Sequence, residues 1–169
     1  TVMAGAGVVA TAAGADAQVP PAKPGPAFAG VFNPIQNVGN GMCLQPEEGS
    51  AADGALVVQA PCNGGIAQGW QQVRFNGNNY GFINQLSGFC VDAFGPAANG
   101  TPIIQGECKR ISNEEWKASA PLPNVVTLMS RIGFRDTGFC IDVPGAQATN
   151  GLAMQIYRCN GTLAQRWVV

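Results

Sequence analysis

Six cysteines carry most of the reactive chemistry in this sequence, and they come in pairs. Cys43 and Cys62, Cys90 and Cys108, and Cys140 and Cys159 are separated by 19, 18 and 19 residues. Zinc sites draw their thiolates from much closer spacings. An even set of widely and regularly spaced cysteines reads instead as three disulfides, laid down in an oxidising compartment. The chain has no histidine, which removes the commonest general base and the commonest metal ligand. Neither a metal nor another cofactor is expected. The carboxylate pairs Glu47-Glu48 and Glu114-Glu115 are neighbours in sequence. Adjacent strand residues point to opposite faces, whereas glycosidic chemistry needs two carboxyls facing across a cleft. No glycine-rich phosphate loop or nucleotide fingerprint is visible. These residues point away from an enzyme and toward a binding or structural protein.

The elements that must hold the cysteines repeat. Three stretches share one pattern: NGMCLQPEEGSAADGALVVQAPCNGGIAQGW from Asn40, SGFCVDAFGPAANGTPIIQGECKRISNEEW from Ser87, and TGFCIDVPGAQATNGLAMQIYRCNGTLAQRW from Thr137. Each has a Cys, an apolar residue and a polar one, then a Gly-containing turn. A short apolar strand follows, then a second Cys, then a Trp at Trp70, Trp116 or Trp167. Such self-similarity sets the architecture before any local reading does. Six cysteines allow many pairings; the repeat selects the one that closes each pair within its own unit. Each such loop stabilises by roughly 3 kcal/mol on the chain-entropy estimate.

A net charge of −1, with 11% charged residues, argues against nucleic acid and anionic membrane surfaces as partners, since both call for a basic face. Hydrophobic residues make up 46%, enough for a core. Residues 1–17 are small and apolar and end in Ala15-Asp16-Ala17, which fits a signal-peptide cleavage site. They read as a signal-peptide remnant of a secreted protein or as an apolar arm ordered by a partner, and are too short and too rich in Ala and Gly to cross a membrane. Residues 18–30 form a Pro/Gly-rich linker with polyproline II character. From residue 31 to 169, short apolar runs alternate with turn signals. The pattern predicts strands at 31–38, 42–45, 56–60 and 69–75 in a first unit (about 31–75). It predicts 80–85, 89–92, 102–106 and 115–118 in a second (about 78–119). In a third (about 123–169) it predicts 125–131, 139–142, 152–157 and 166–169. Asp53-Gly54, Asn99-Gly100 and Asn150-Gly151 precede the third strand of each unit and predict tight hairpins with residues at positive φ. Twelve strands in three units predict a closed all-β body with pseudo-threefold symmetry, which leaves few exposed edges.

The pattern resembles the ricin B-type lectins, the carbohydrate-binding β-trefoils marked by a Gln-x-Trp repeat. Gln68-Gly69-Trp70 and Gln165-Arg166-Trp167 keep that motif; Glu114-Glu115-Trp116 departs from it. The resemblance covers about residues 31–169. It implies that the Trp residues are core, and that each unit can build a shallow sugar site. That site uses an acid two residues after the first Cys and an aromatic two before the second. Amides complete it, one just after that Cys and one in Gln-x-Trp. A carboxylate takes charge-assisted hydrogen bonds from sugar hydroxyls, and amides satisfy the rest. The third unit fits, with Asp142, Tyr157, Asn160 and Gln165, and Gln155 on the face of Tyr157. The second keeps Asp92 but has Gly106 and Lys109 in place of the aromatic and the amide, with Phe94 as a substitute platform. The first has Gln45 and Ala60 instead, and keeps Asn63 and Gln68 as structural amides. The resemblance thus implies a secreted lectin-like module that binds glycans weakly, mainly through the third unit. The alternative is a non-catalytic adaptor or cell-targeting subunit of a secreted toxin-like assembly, similar to the ricin-like subunits of cytolethal distending toxins. There the N-terminal arm would meet other subunits.

Overall fold

The computed structural model describes residues 30–169; the expected signal segment 1–17 and linker residues 18–29 lie outside the described residues. Fourteen short strands occur among the described residues. The first unit has β1 (Phe32–Asn33), β2 (Gln36–Asn37), β3 (Cys43–Pro46), β4 (Val57–Ala60) and β5 (Trp70–Arg74). The second has β6 (Asn79–Asn84), β7 (Cys90–Ala93), β8 (Thr101–Gly106) and β9 (Trp116–Ala118). The third has β10 (Val125–Val126), β11 (Leu128–Ser130), β12 (Phe139–Asp142), β13 (Gln155–Arg158) and β14 (Trp167–Val168).

The first and last strands of each unit form a barrel through the pairings β1–β5, β5–β6, β6–β9, β9–β11, β10–β14 and β14–β2. The ring closes because β1 and β2 are halves of one bent strand, as are β10 and β11. The middle strands form the hairpins β3–β4, β7–β8 and β12–β13, which cap one end. β8–β13 pairing and the bridges Leu56↔Ile104 and Val58↔Ala153 join the hairpins to each other.

Several expected boundaries change, for identifiable reasons. The strand expected at 31–38 breaks at Pro34, which has no N–H for the ladder, while Ile35 turns into the core. The one expected at 125–131 breaks at Thr127, whose N–H goes to the Ser119 hydroxyl. The strand expected at 152–157 begins only at Gln155. The loops expected as tight hairpins are wider, as between Pro46 and Val57. Gly54, Gly100 and Gly151 take positive φ there, without the preceding Asp or Asn. Single 3-10 turns at Ile66–Gln68, Ser112–Glu114 and Leu163–Gln165 precede the Trp of each unit.

Trp70, Trp116 and Trp167 are fully buried and pack with Phe82, Ile103, Leu128 and Ile156 in one core. Each indole N–H donates to the carbonyl of the residue after its unit's first Cys: Leu44 at 2.9 Å, Val91 at 3.1 Å and Ile141 at 3.2 Å. A buried Trp needs this partner, and supplying it ties each barrel strand to its own hairpin. The three disulfides close within the units, with Cα–Cα distances of 5.1 Å. They anchor the far end of each hairpin to its start.

Candidate functional site

Antiparallel register assembles the third unit's candidates. Asp142 ends β12 and faces Gln155, the first residue of β13; Cys140 faces Tyr157. Residues paired across strands share a face, so Asp142, Gln155 and Tyr157 stand side by side. Asp142 is 5% exposed, and both of its oxygens are engaged. The Gln155 side-chain amide donates to Oδ2 at 2.8 Å and the Gln165 amide donates to Oδ1 at 3.1 Å. Each carboxylate oxygen has two lone pairs, so each keeps one acceptor position. Tyr157 is 39% exposed, with its ring on the surface beside them.

Gln165 is not at the surface. It is fully buried in the 3-10 turn before Trp167, donates also to the Arg158 carbonyl at 3.1 Å, and accepts the Asn160 N–H at 2.9 Å. It therefore positions Asp142 and the Asn160 loop. Asn160, an exposed residue, accepts the Thr162 N–H and hydroxyl on its Oδ1, at 3.0 and 2.8 Å, and its NH2 makes no hydrogen bond among the described residues. Asp142, Gln155, Tyr157 and Asn160 line a cavity of about 340 Å³ whose other wall is Gly145, Ala146 and Thr162. Sequence reasoning passed over that wall. The run Asn160-Gly161-Thr162 was a signal for it, because Asn and Thr side chains cap their own turns.

The second unit keeps the cavity and changes its chemistry. Glu114 replaces the Gln and accepts the N–H groups of Lys109 at 3.0 Å and Arg110 at 2.8 Å. It holds the same loop but has no N–H for Asp92. Ile104 replaces Gln155, so the second donor is missing too. Asp92 Oδ1 is buried without a partner, the one such side-chain atom among the described residues. Burial first, then the Glu114 and Asp53 carboxylates, push the Asp92 carboxyl up to about 6 against an opposing pull from Lys109. Gly106 leaves no aromatic on β8; Phe94, 65% exposed, stands at the rim of a cavity of about 300 Å³. In the first unit Gln68 donates to Gln45 at 2.9 Å and to Pro61 at 2.9 Å, and accepts the Asn63 N–H at 2.8 Å. These amides satisfy one another, and Ala60 is buried.

A family model described as ricin-type beta-trefoil lectin domain-like matches residues 29–106, the first unit and most of the second. The chain folds as a β-trefoil. The designed threefold-symmetric protein ThreeFoil superposes with a TM-score of 0.73 at 25% identity, over 80% of this chain and 95% of that one. A Macrolepiota procera ricin B-like lectin in complex with lactose gives 0.66 at 19% identity, over 82% and 92%. The Haemophilus ducreyi cytolethal distending toxin gives 0.65 at 18% identity, over 82% and 81%. The last two show likeness of fold. No curated protein matches the sequence. The family match ends before the third unit of the trefoil, where the full set of candidate residues stands.

Proposed function

We propose that this trefoil is a secreted carbohydrate-binding module that recognises glycans through the cavity of its third unit and performs no chemistry on them. One observation carries the reading. Asp142 is held by two side-chain amides beside an exposed Tyr157, in a cavity of about 340 Å³. Two remaining lone pairs accept two neighbouring sugar hydroxyls. The Gln155 Oε1 and Asn160 NH2 offer a further acceptor and donor, and the tyrosine ring covers the apolar C–H face of the sugar. Convergent polar groups beside an aromatic surface are the usual anatomy of a small-ligand site. The Macrolepiota lectin of the same fold is complexed with lactose, which supports this ligand class. Three intra-unit disulfides fit an oxidising, extracellular setting. A single shallow site gives weak binding, strengthened when several copies act together.

A glycan array probed with the wild-type chain and with Asp142→Ala tests the reading. Binding that disappears in the variant supports it. Loss of sugar-type residues from the first two units, at Ala60 and Gly106, favours the second reading, an adaptor subunit of a secreted assembly. That reading expects no array signal and a companion polypeptide in native purification.

A further inference from the structure

Beside each disulfide a notch opens against the barrel strands, and the three notches differ. The one at Cys43–Cys62 is about 120 Å³ and has Phe32 in its wall. The one at Cys90–Cys108 is about 80 Å³ and has Phe75 in its wall. The Phe75 ring packs over Gly81, with Cζ 3.0 Å from where a Cβ on that glycine would stand. The one at Cys140–Cys159 is about 260 Å³. Lys117, Ser119, Thr127 and Met129 line it with the disulfide, and no aromatic residue does among the described residues. The register explains the opening. Met129 pairs with Lys117 as Ile83 pairs with Gln71, which puts Thr127 at the place of Gly81 and Pro121 at the place of Phe75. The third notch therefore lacks both the phenyl ring and the bare backbone that seats it.

An exposed ring stands beside this notch. The loop from the barrel into the hairpin runs over 38–42 in the first unit, 85–89 in the second and 131–138 in the third. Asn37 and Asn84 fold the short loops back by each accepting backbone N–H groups. Ser130 replaces them, and Arg131 pins the longer loop instead. Arg131 donates to the Phe134 carbonyl at 2.8 Å and pairs with Asp136, while the Gly133 N–H donates to the Ser112 hydroxyl at 2.9 Å. The loop borders the notch: Asp136 pairs with Lys117, and the Gly138 N–H donates to Met129 Sδ at 3.3 Å. Phe134 lies within ~7 Å along the chain of the rim residue Asp136. It is 61% exposed at a φ of 58°, a region that bulky side chains seldom adopt. Backbone held in such a region by its surroundings clusters at binding surfaces.

We propose that two copies of this chain pair through the third unit, each placing Phe134 in the other's notch beside Cys140–Cys159. A twofold pairing needs ring and receptor on one surface, because each copy gives and receives at once; an exposed ring on the rim loop meets that need. The sister notches, each with a phenylalanine against its disulfide, show the chemistry that the open one takes. Met129 adds a sulfur contact that aromatic rings favour. The interface is small, so the dimer is weak and exchanges with monomer. The pairing does not depend on what Asp142 binds. Where the sugar reading holds, the dimer carries two third-unit cavities, and avidity rises with the number engaged.

Sedimentation equilibrium of the intact chain between ~10 µM and ~1 mM tests this. The wild type is expected to show a monomer–dimer equilibrium. Phe134→Ser, which trims an exposed ring, is expected to weaken it about tenfold or more. Thr127→Phe, which rebuilds a ring in the notch, is expected to do the same. Mixing resolves the geometry, because isotope-labelled Phe134→Ser keeps an open notch and unlabelled Thr127→Phe keeps its Phe134. Adding the second to the first is expected to move the Lys117, Ser119 and Gly138 amides in NMR spectra; adding unlabelled Phe134→Ser is not. Unlabelled wild type serves as a second donor, so a poorly folded Thr127→Phe does not decide the result. A chain that stays monomeric across the range overturns the proposal. So does dimerisation that Phe134→Ser leaves intact, which assigns the contact to another face, or notch amides that stay still when either donor is added.

Discussion

Gln165 links the core of the trefoil to its candidate site, and Gln165→Glu isolates what it does. The substitution keeps the shape and the Oε1 that accepts the Asn160 N–H. It removes the donor to Asp142 and to the Arg158 carbonyl, at 3.1 Å each. The bond to the carboxylate is worth about 1.5–3 kcal/mol and the neutral one about 1 kcal/mol, so the loss is about 3 kcal/mol. At about 2–4 °C per kcal/mol for a domain of this size, Tm falls by about 10 °C at pH 7. The new carboxylate also stands against Asp142, so sugar affinity falls alongside. Lowering the pH toward about 4 protonates part of the introduced group, restores one donor and narrows the deficit. Thermal melts at pH 7 and pH 4, paired with calorimetric sugar titrations, read both effects. A variant with unchanged Tm and unchanged affinity would refute the argument that Gln165 orients the site.

Other substitutions separate packing from recognition. Tyr157→Ala removes an exposed ring, so Tm should stay within about 2 °C while sugar affinity drops about tenfold. A large loss of stability would mean that the tyrosine serves the fold. Trp116→Ala costs about 3–5 kcal/mol in cavity formation and leaves the Val91 carbonyl without its partner. That is comparable to the whole stability of a small domain, and a cooperative melt close to wild type would contradict the assigned core. Asp92→Asn tests the raised carboxyl. The folded protein takes up this proton at about 6 and the unfolded chain near the ordinary 3.8. Stability from this group is therefore gained as pH falls through 6 and is missing at neutral pH. The Asn variant should be more stable than wild type at pH 7.5, by about 1 kcal/mol after allowing for solvent screening. The two should converge near pH 4, and denaturant melts across that range check the sign.

The cysteine and tryptophan spacing made the threefold body legible because both residue types sit where every unit must meet its own hairpin and the shared core. Disulfide partners need fixed geometry, and the indole N–H needs a buried acceptor; neither tolerates drift. The strand breaks at Pro34 and Thr127 were harder to read, since Phe32 and Ile35 lie on either side of the first and the apolar pairs Val125-Val126 and Leu128-Met129 flank the second. Pro34 carried a usable signal in its missing N–H; Thr127 carried none, because its partner is a side chain, the Ser119 hydroxyl just past the end of the neighbouring strand β9. In the candidate site, the ricin-type resemblance pointed to Asp142, Tyr157 and Asn160 through their places relative to the cysteines, and strand alternation added Gln155 on the face of Tyr157. The inward direction of Gln165 could not be read, because it depends on the 3-10 turn that places it under the loop. The orphaned oxygen of Asp92 shows only once Ile104 and Glu114 are seen around it.

The central claim is that sugar is held in the third unit between the Asp142 carboxylate and the Tyr157 ring. A crystal structure of the protein soaked with the tightest-binding sugar from the array tests it most directly. Two sugar hydroxyls on Asp142, a C–H face on Tyr157, and Gln165 beneath them without ligand contact are expected. Sugar bound elsewhere on the trefoil, with this cavity holding only water, would contradict it.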